Sequence, residues 1–170
     1  MSLRIALLGL LTAAGPSSGY DLAKSFESSL NYVWQASHSQ IYPELVKMAS
    51  DGLVTADAEG ARGRKTYTIT PEGADQLRAW LREQAPSLTV RSESALQAFL
   101  LPVLAPQDAV AVLERLRERY VKKLETLEAL CADSSAGERF GRYALDHGIR
   151  HVRATVAWAD DTIADLRARG

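Results

Sequence analysis

The sequence predicts a mainly α fold: a winged helix-turn-helix domain with a small two-stranded hairpin over residues 1–85, then an α-helical, long-helix dimerisation domain over 86–170. Three observations predict it. The first half orders itself as helix, helix, helix, hairpin, helix. A charged turn bounded by glycines separates the two strands of the hairpin. The closing helix keeps an apolar stripe in alternating steps of four and three, the pattern of a coiled-coil heptad.

Residues 3–13 read as a short, strongly apolar helix ended by Gly15-Pro16. YDLAKSFESSL follows, with Leu22, Phe26 and Leu30 on one face at helical spacing, and NYVWQA connects it onward. In SHSQIYPELVKMASDGLV, Ser37 is the expected N-cap, Ile41, Leu45 and Met48 form the buried stripe, and Asp51-Gly52 stops the helix. Pro43 breaks a local rule there, because it removes a donor and crowds the preceding turn. Either the helix starts near Ser39, with Pro43 in its first turn, or it is kinked.

After Gly52 the period becomes two: LVTADA, EGARGR and KTYTIT read as strand, turn, strand. Thr70-Pro71 then starts a helix, with Thr as N-cap, Pro at the first position and Glu72 in the first turn. It carries Leu77, Trp80 and Leu81 and ends before Pro86.

Composition narrows the class. Of 170 residues, 46% are hydrophobic and 24% charged, which is globular rather than disordered. The formal net charge of -1 announces no nucleic acid, but it averages over faces that meet different partners. Cys131 is the single cysteine, which excludes an internal disulfide and a cysteine-rich zinc site and fits a reducing cytoplasm. MSLRIALLGLLTAAG runs straight into a second amphipathic helix and is read as a buried first helix rather than a signal peptide. No run reaches the roughly 18 apolar residues of a membrane span.

The tip of the third helix carries His38, Ser39, Gln40 and Tyr42, with Lys47 further along. A major groove admits one α-helix, and the first residues of that helix reach base edges. Gln40 can pair with adenine through its amide, and Ser37, His38 and Ser39 are short donors or acceptors. Tyr42 and Lys47 fall where phosphates would lie. Arg62, Arg64 and Lys65 supply three cations within four residues, beside Gly60 and Gly63, in an otherwise slightly acidic first half. That is the expected footprint of a wing on a DNA backbone or minor groove.

Beyond Pro86 the chain reads as helix throughout. SESALQAFLLPVL is a short helix stopped by Pro102. Pro106 opens a long one with Leu113, Leu116, Tyr120, Leu124, Leu127 and Cys131 on its stripe. The last helix, from about 138 to 167, sets Leu145, Ile149, Val152, Val156, Ala159, Ile163 and Leu166 on its heptad seam. Two long helices cannot bury both faces against so small a domain, so the seam predicts a homodimer ahead of an intramolecular helical hairpin. A two-fold dimer would also offer two recognition helices to an inverted repeat.

LRIALLGLL, SGYDLAKSF, SHSQIYPELVKMASDGLV and RKTYTITPEG resemble, in order, the consensus blocks of PadR-type transcriptional regulators. HGIRHVRATVAWADDTIADL is similar to the last helix of that family's C-terminal domain. The diagnostic pieces are Gly19-Tyr20, Gln40-Ile41-Tyr42-Pro43 and Tyr67-x-Ile69-Thr70-x-x-Gly73. Met48-Ala49 departs from the usual Leu-Glu, a packing change. The resemblance implies a homodimeric repressor of promoter DNA, often released by a small molecule, with phenolic acids in the founding members. It also implies phosphate contacts from Tyr20 and Tyr42, and Lys24 joins the expected DNA-binding set. The phenolic link does not transfer across so diverse a family.

Other signals weigh less. Trp34, Phe99 and Trp158 are the candidate contacts for a small aromatic or hydrophobic effector, whereas Trp80 reads as packing. His147 and His151 stand at i, i+4 but lack further ligands beyond Asp146, so solvated histidines are favoured over a metal. No cofactor is expected. No phosphate loop, nucleophile elbow or metalloprotease motif occurs, so no enzyme is expected. The competing function is a winged helix that binds protein, which would have no need of the Arg62-Arg64-Lys65 cluster.

Overall fold

The computed structural model describes residues 2–28, 38–58, 65–86, 92–132 and 141–169. The chain forms two compact units, Met1–Pro86 and Ser87–Gly170.

The first unit runs α1 (Ser2–Ala14), β1 (Ser17–Ser18), α2 (Gly19–Ser28), α3 (His38–Ser50), β2 (Val54–Ala58), β3 (Lys65–Ile69) and α4 (Pro71–Glu83). The anticipated hairpin is there, with Val54 opposite Ile69 and Ala58 opposite Lys65. It gains a third strand: β1 pairs antiparallel with β3, Ser17 opposite Tyr67. Two residues are too few to show alternation, so periodicity could not reveal β1. The core is built from Leu8 and Leu11 of α1, Leu22 and Phe26 of α2, and Ile41, Leu45 and Met48 of α3, closed by Leu53, Val54 and Tyr67. Leu77 and Trp80 of α4 pack on it, whereas Leu81 points outward and is exposed. Leu30 lies outside the described residues.

Local chemistry ends α3 sharply. Gly52 adopts φ 74°, the left-handed conformation that spares only glycine a steric penalty. Its N–H donates to the Ala49 carbonyl at 3.2 Å and that of Leu53 to Met48 at 3.0 Å, the paired bonds of a Schellman cap. Leu53 and Met48 are both buried, which supplies the cap's apolar contact. Thr70 ties α4 to the same turn: its hydroxyl donates to the Gly52 carbonyl at 2.8 Å and accepts from the Gly73 N–H at 3.1 Å. A Cβ on Gly73 would fall 2.2 Å from the Leu53 carbonyl oxygen. The Thr70-x-x-Gly73 pair therefore clamps the start of α4 onto the end of α3.

The second unit runs α5 (Glu93–Leu100), a 3-10 turn (Leu101–Val103), α6 (Pro106–Ala132) and α7 (Arg142–Arg169). Ser92 caps α5 by accepting from the Ala95 N–H. Ion pairs Glu114–Arg167, Asp160–Arg117 and Glu128–Arg153 join α6 to α7. As numbers rise on α6 they fall on α7, so the two helices are antiparallel.

The heptad seam is partly buried within the single chain. Ile149, Val152, Ala159 and Ile163 are already buried within the single chain, and Leu145, Val156 and Leu166 are half-buried. Ile149, Val152 and Leu145 pack with Leu127, Leu124 and Tyr120 of α6. This part of the stripe therefore closes on α6 as an intramolecular hairpin. A heptad says that a face is buried and is silent on the partner. Cys131, expected on the α6 stripe, is exposed.

Candidate nucleic-acid interface

The buried stripe of α3 leaves one side of that helix to solvent. Around the exposed side, Tyr42, Val46, Ser39, Ser50, Pro43, Lys47 and Gln40 follow one another, all exposed. His38 opens the helix; its side chain, like all of Ser37, lies outside the described residues. Pro43 stands in the second turn of a helix that continues through it, not in the first. It lacks the N–H that would serve the carbonyl four residues back, and the helix tolerates this on its exposed side.

Arg4 of α1 sets the placement of α3. Its guanidinium meets Glu44 within α3 at 2.7 Å and Asp51, just past the end of that helix, at 2.8 Å. The hydrogen bond to Glu44 raises the Arg4 pKa, with that to Asp51 adding to it against the opposing effect of burial. One cation thus grips the helix and the turn that ends it.

Tyr20 and Lys24 project from α2 and are exposed, Tyr20 to 60%. Ser18 and Asp21 frame the start of that helix: the Ser18 hydroxyl donates to Asp21 Oδ2 at 2.7 Å and accepts the Asp21 N–H at 3.2 Å. Gly19 governs the seating of Tyr42, since a Cβ there would lie 2.7 Å from Tyr42 Cε1. The Tyr42 ring therefore lies directly against the α2 N-terminus. It also neighbours Tyr67, whose pKa is raised by burial and, secondarily, by the Tyr42 phenol. Of the wing cations, Lys65 is exposed at the start of β3, while Arg62 and Arg64 lie outside the described residues.

Sequence reasoning missed three residues here. Gly19 was quoted with Tyr20, but its contact with Tyr42 crosses the fold. Arg4 gave no signal, because its partners lie 40 or more residues away. Val46 was legible from helical spacing alone, being out of phase with Ile41, Leu45 and Met48.

In the second unit, Ser94, Gln97, Ala98, Leu101, Val112, Leu113, Leu116 and Trp158 line a small cleft of about 10 Å³. Phe99 is not in its lining and is 80% exposed; Trp34 lies outside the described residues. His147 and His151 are exposed, and among the described residues no three His, Cys, Asp or Glu side chains gather as a metal site. No described helix is long and apolar enough to cross a membrane.

Three packed helices, a winged hairpin and a third helix exposed along one side define a winged helix-turn-helix transcriptional regulator, a DNA-binding class. Residues 7–79 match the model of the transcriptional regulator PadR-like family, and residues 90–167 that of the virulence activator alpha C-terminal domain. The negative transcriptional regulator PadR of Bacillus subtilis is 34% identical, over 95% of this chain and 96% of that protein. The crystal structure of B. subtilis PadR with operator DNA matches with a TM-score of 0.86 at 32% identity, covering 98% of this chain and 99% of the other. That of the same protein with p-coumaric acid matches at 0.87 and 31%, with the same coverage. The chain belongs to the PadR-like family.

Proposed function

We propose that this chain is a cytoplasmic homodimeric repressor that reads an inverted repeat in promoter DNA and releases it on binding a small hydrophobic effector. The observation that carries the reading is the exposed side of α3, held by Arg4 and bounded by Tyr42 and Lys47, on a fold shared with an operator-bound relative. In this reading Ser37, His38, Ser39 and Gln40 enter the major groove, while Tyr20, Lys24, Tyr42 and Lys47 hold phosphates. Arg62, Arg64 and Lys65 form the wing contact. The negative regulation of the B. subtilis relative supports repression.

Because much of the α7 seam is buried within the single chain, a second apolar surface is the proposed dimer contact. The resemblance to PadR-type regulators supports a dimer. Leu96, Phe99, Leu100, Val103 and Leu104, on α5, the 3-10 turn and the residue that caps it, are exposed in the single chain, Val103 to 81%. So many large apolar side chains in nine residues mark a surface that a partner covers. A second copy is the proposed partner.

The cleft bounded by Trp158 is the proposed effector site. About 10 Å³ holds no more than one water, so an aromatic ligand enters only if α5 moves off α6 and α7. Such a ligand binds the opened arrangement preferentially, which is the condition for an inducer. No Lys, Arg or His lines the cleft, so an uncharged ligand fits it better than a carboxylate.

Salt titration of binding to a pool of random duplexes tests the reading. Alanines at Arg62, Arg64 and Lys65 should weaken binding to every sequence and flatten its salt dependence, and Gln40→Ala should change the preferred sequence. If neither change alters DNA binding, the α3 and wing assignment is wrong.

A further inference from the structure

We propose that Val46 is a specificity-determining residue that reads the 5-methyl group of a thymine in the operator; this rests on the DNA-binding reading above. Val46 is 59% exposed on the side of α3 that faces away from the core. It lies between Tyr42 and Ser39 around the helix, and Ser39, Pro43, Val46 and Ser50 follow one another at spacings of four, three and four. That spacing is the one by which a helix lying along a groove brings successive turns to successive base pairs. The helix gains little from a valine there, because β-branched residues are poorer helix formers than alanine and most of this side chain is exposed.

Every other side chain on that face carries a polar group or is Pro43. An exposed isopropyl group among them has one apolar counterpart in the major groove, the thymine methyl. Bringing the two together removes both from water. The contact is worth about one buried methyl group, or roughly fourfold in affinity at one half-site. It would discriminate thymine from cytosine at that position by shape and hydration, in a place where Gln40 does not reach.

The test uses a duplex selected by the protein itself, in which single thymines are replaced one at a time by deoxyuridine. This deletes the methyl and leaves every hydrogen-bonding group. For the wild-type chain, one such replacement should cost about fourfold. Val46→Ala should bind the thymine duplex weaker by about the same factor and lose nothing further on deoxyuridine replacement at that position. Alanine raises helix propensity, so the variant keeps α3. If wild type and variant bind the selected duplex with salt dependence but the two changes are additive at every thymine, Val46 reads no methyl, and the DNA-binding reading stands. If no duplex is bound at all, that reading falls and the inference with it.

Discussion

Gly73 and Gly19 show how differently two glycines constrain one fold. The Cβ of Gly73→Ala would strike the Leu53 carbonyl, backbone that cannot swing aside. Urea denaturation should show a loss of about 3 kcal/mol or more, and near-wild-type stability would contradict the clamp. The Cβ of Gly19→Ala meets a ring edge that can move. We expect stability within about 1 kcal/mol of wild type but clearly weaker DNA binding, because Tyr42 is displaced from the α2 N-terminus. Loss of stability with unchanged binding would assign Gly19 to packing alone. Tyr67 gives a pH prediction. Burial, aided by Tyr42, holds its phenol above the usual pKa of 10.0. A raised acid pKa means that the folded state keeps a proton the unfolded chain loses. The resulting stability is complete below pH 10 and is lost as pH climbs toward the folded-state value. Between about pH 9 and 11, Tyr67→Phe should therefore lose less stability than wild type; parallel curves would contradict this.

The α6–α7 hairpin ranks forces at the scale of elements. Its apolar seam and its ion pairs both join the helices, but the pairs are largely solvated, so each contributes a few tenths of a kcal/mol. Val152, 1% exposed, leaves a cavity when truncated. Val152→Ala should cost roughly 2 kcal/mol and Arg153→Gln less than about 0.5. Equal costs in thermal unfolding would contradict the assignment of stability to the seam. Sequence reading worked best on these elements. Stripes such as Ile41, Leu45 and Met48, and the Thr70-Pro71 start, are local codes, and local codes fix local structure. The α7 heptad was equally legible, yet its partner was not, because α6 satisfies the same periodicity that a second chain would. β1 carried no period at all. The Arg4 clamp joins residues far apart in the chain, a relation visible only once α1 and α3 pack.

For the whole molecule, the dimer contact proposed on α5 gives a clean separation. Phe99→Glu with Val103→Glu places charges on the exposed α5 surface and should yield monomers by sedimentation while leaving the α6–α7 seam intact. Persistence of the dimer would return the interface to another face. The candidate site was only half legible at this scale: residue types and the wing cluster pointed to DNA, but which side of α3 is free follows from what the core consumes. The most direct measurement is selection of bound duplexes from a random library at near-physiological salt. An inverted repeat should be enriched, with half-sites about one helical turn, or a multiple of it, apart. Recovery of no enriched sequence, or failure to retain any DNA, would contradict the proposed function.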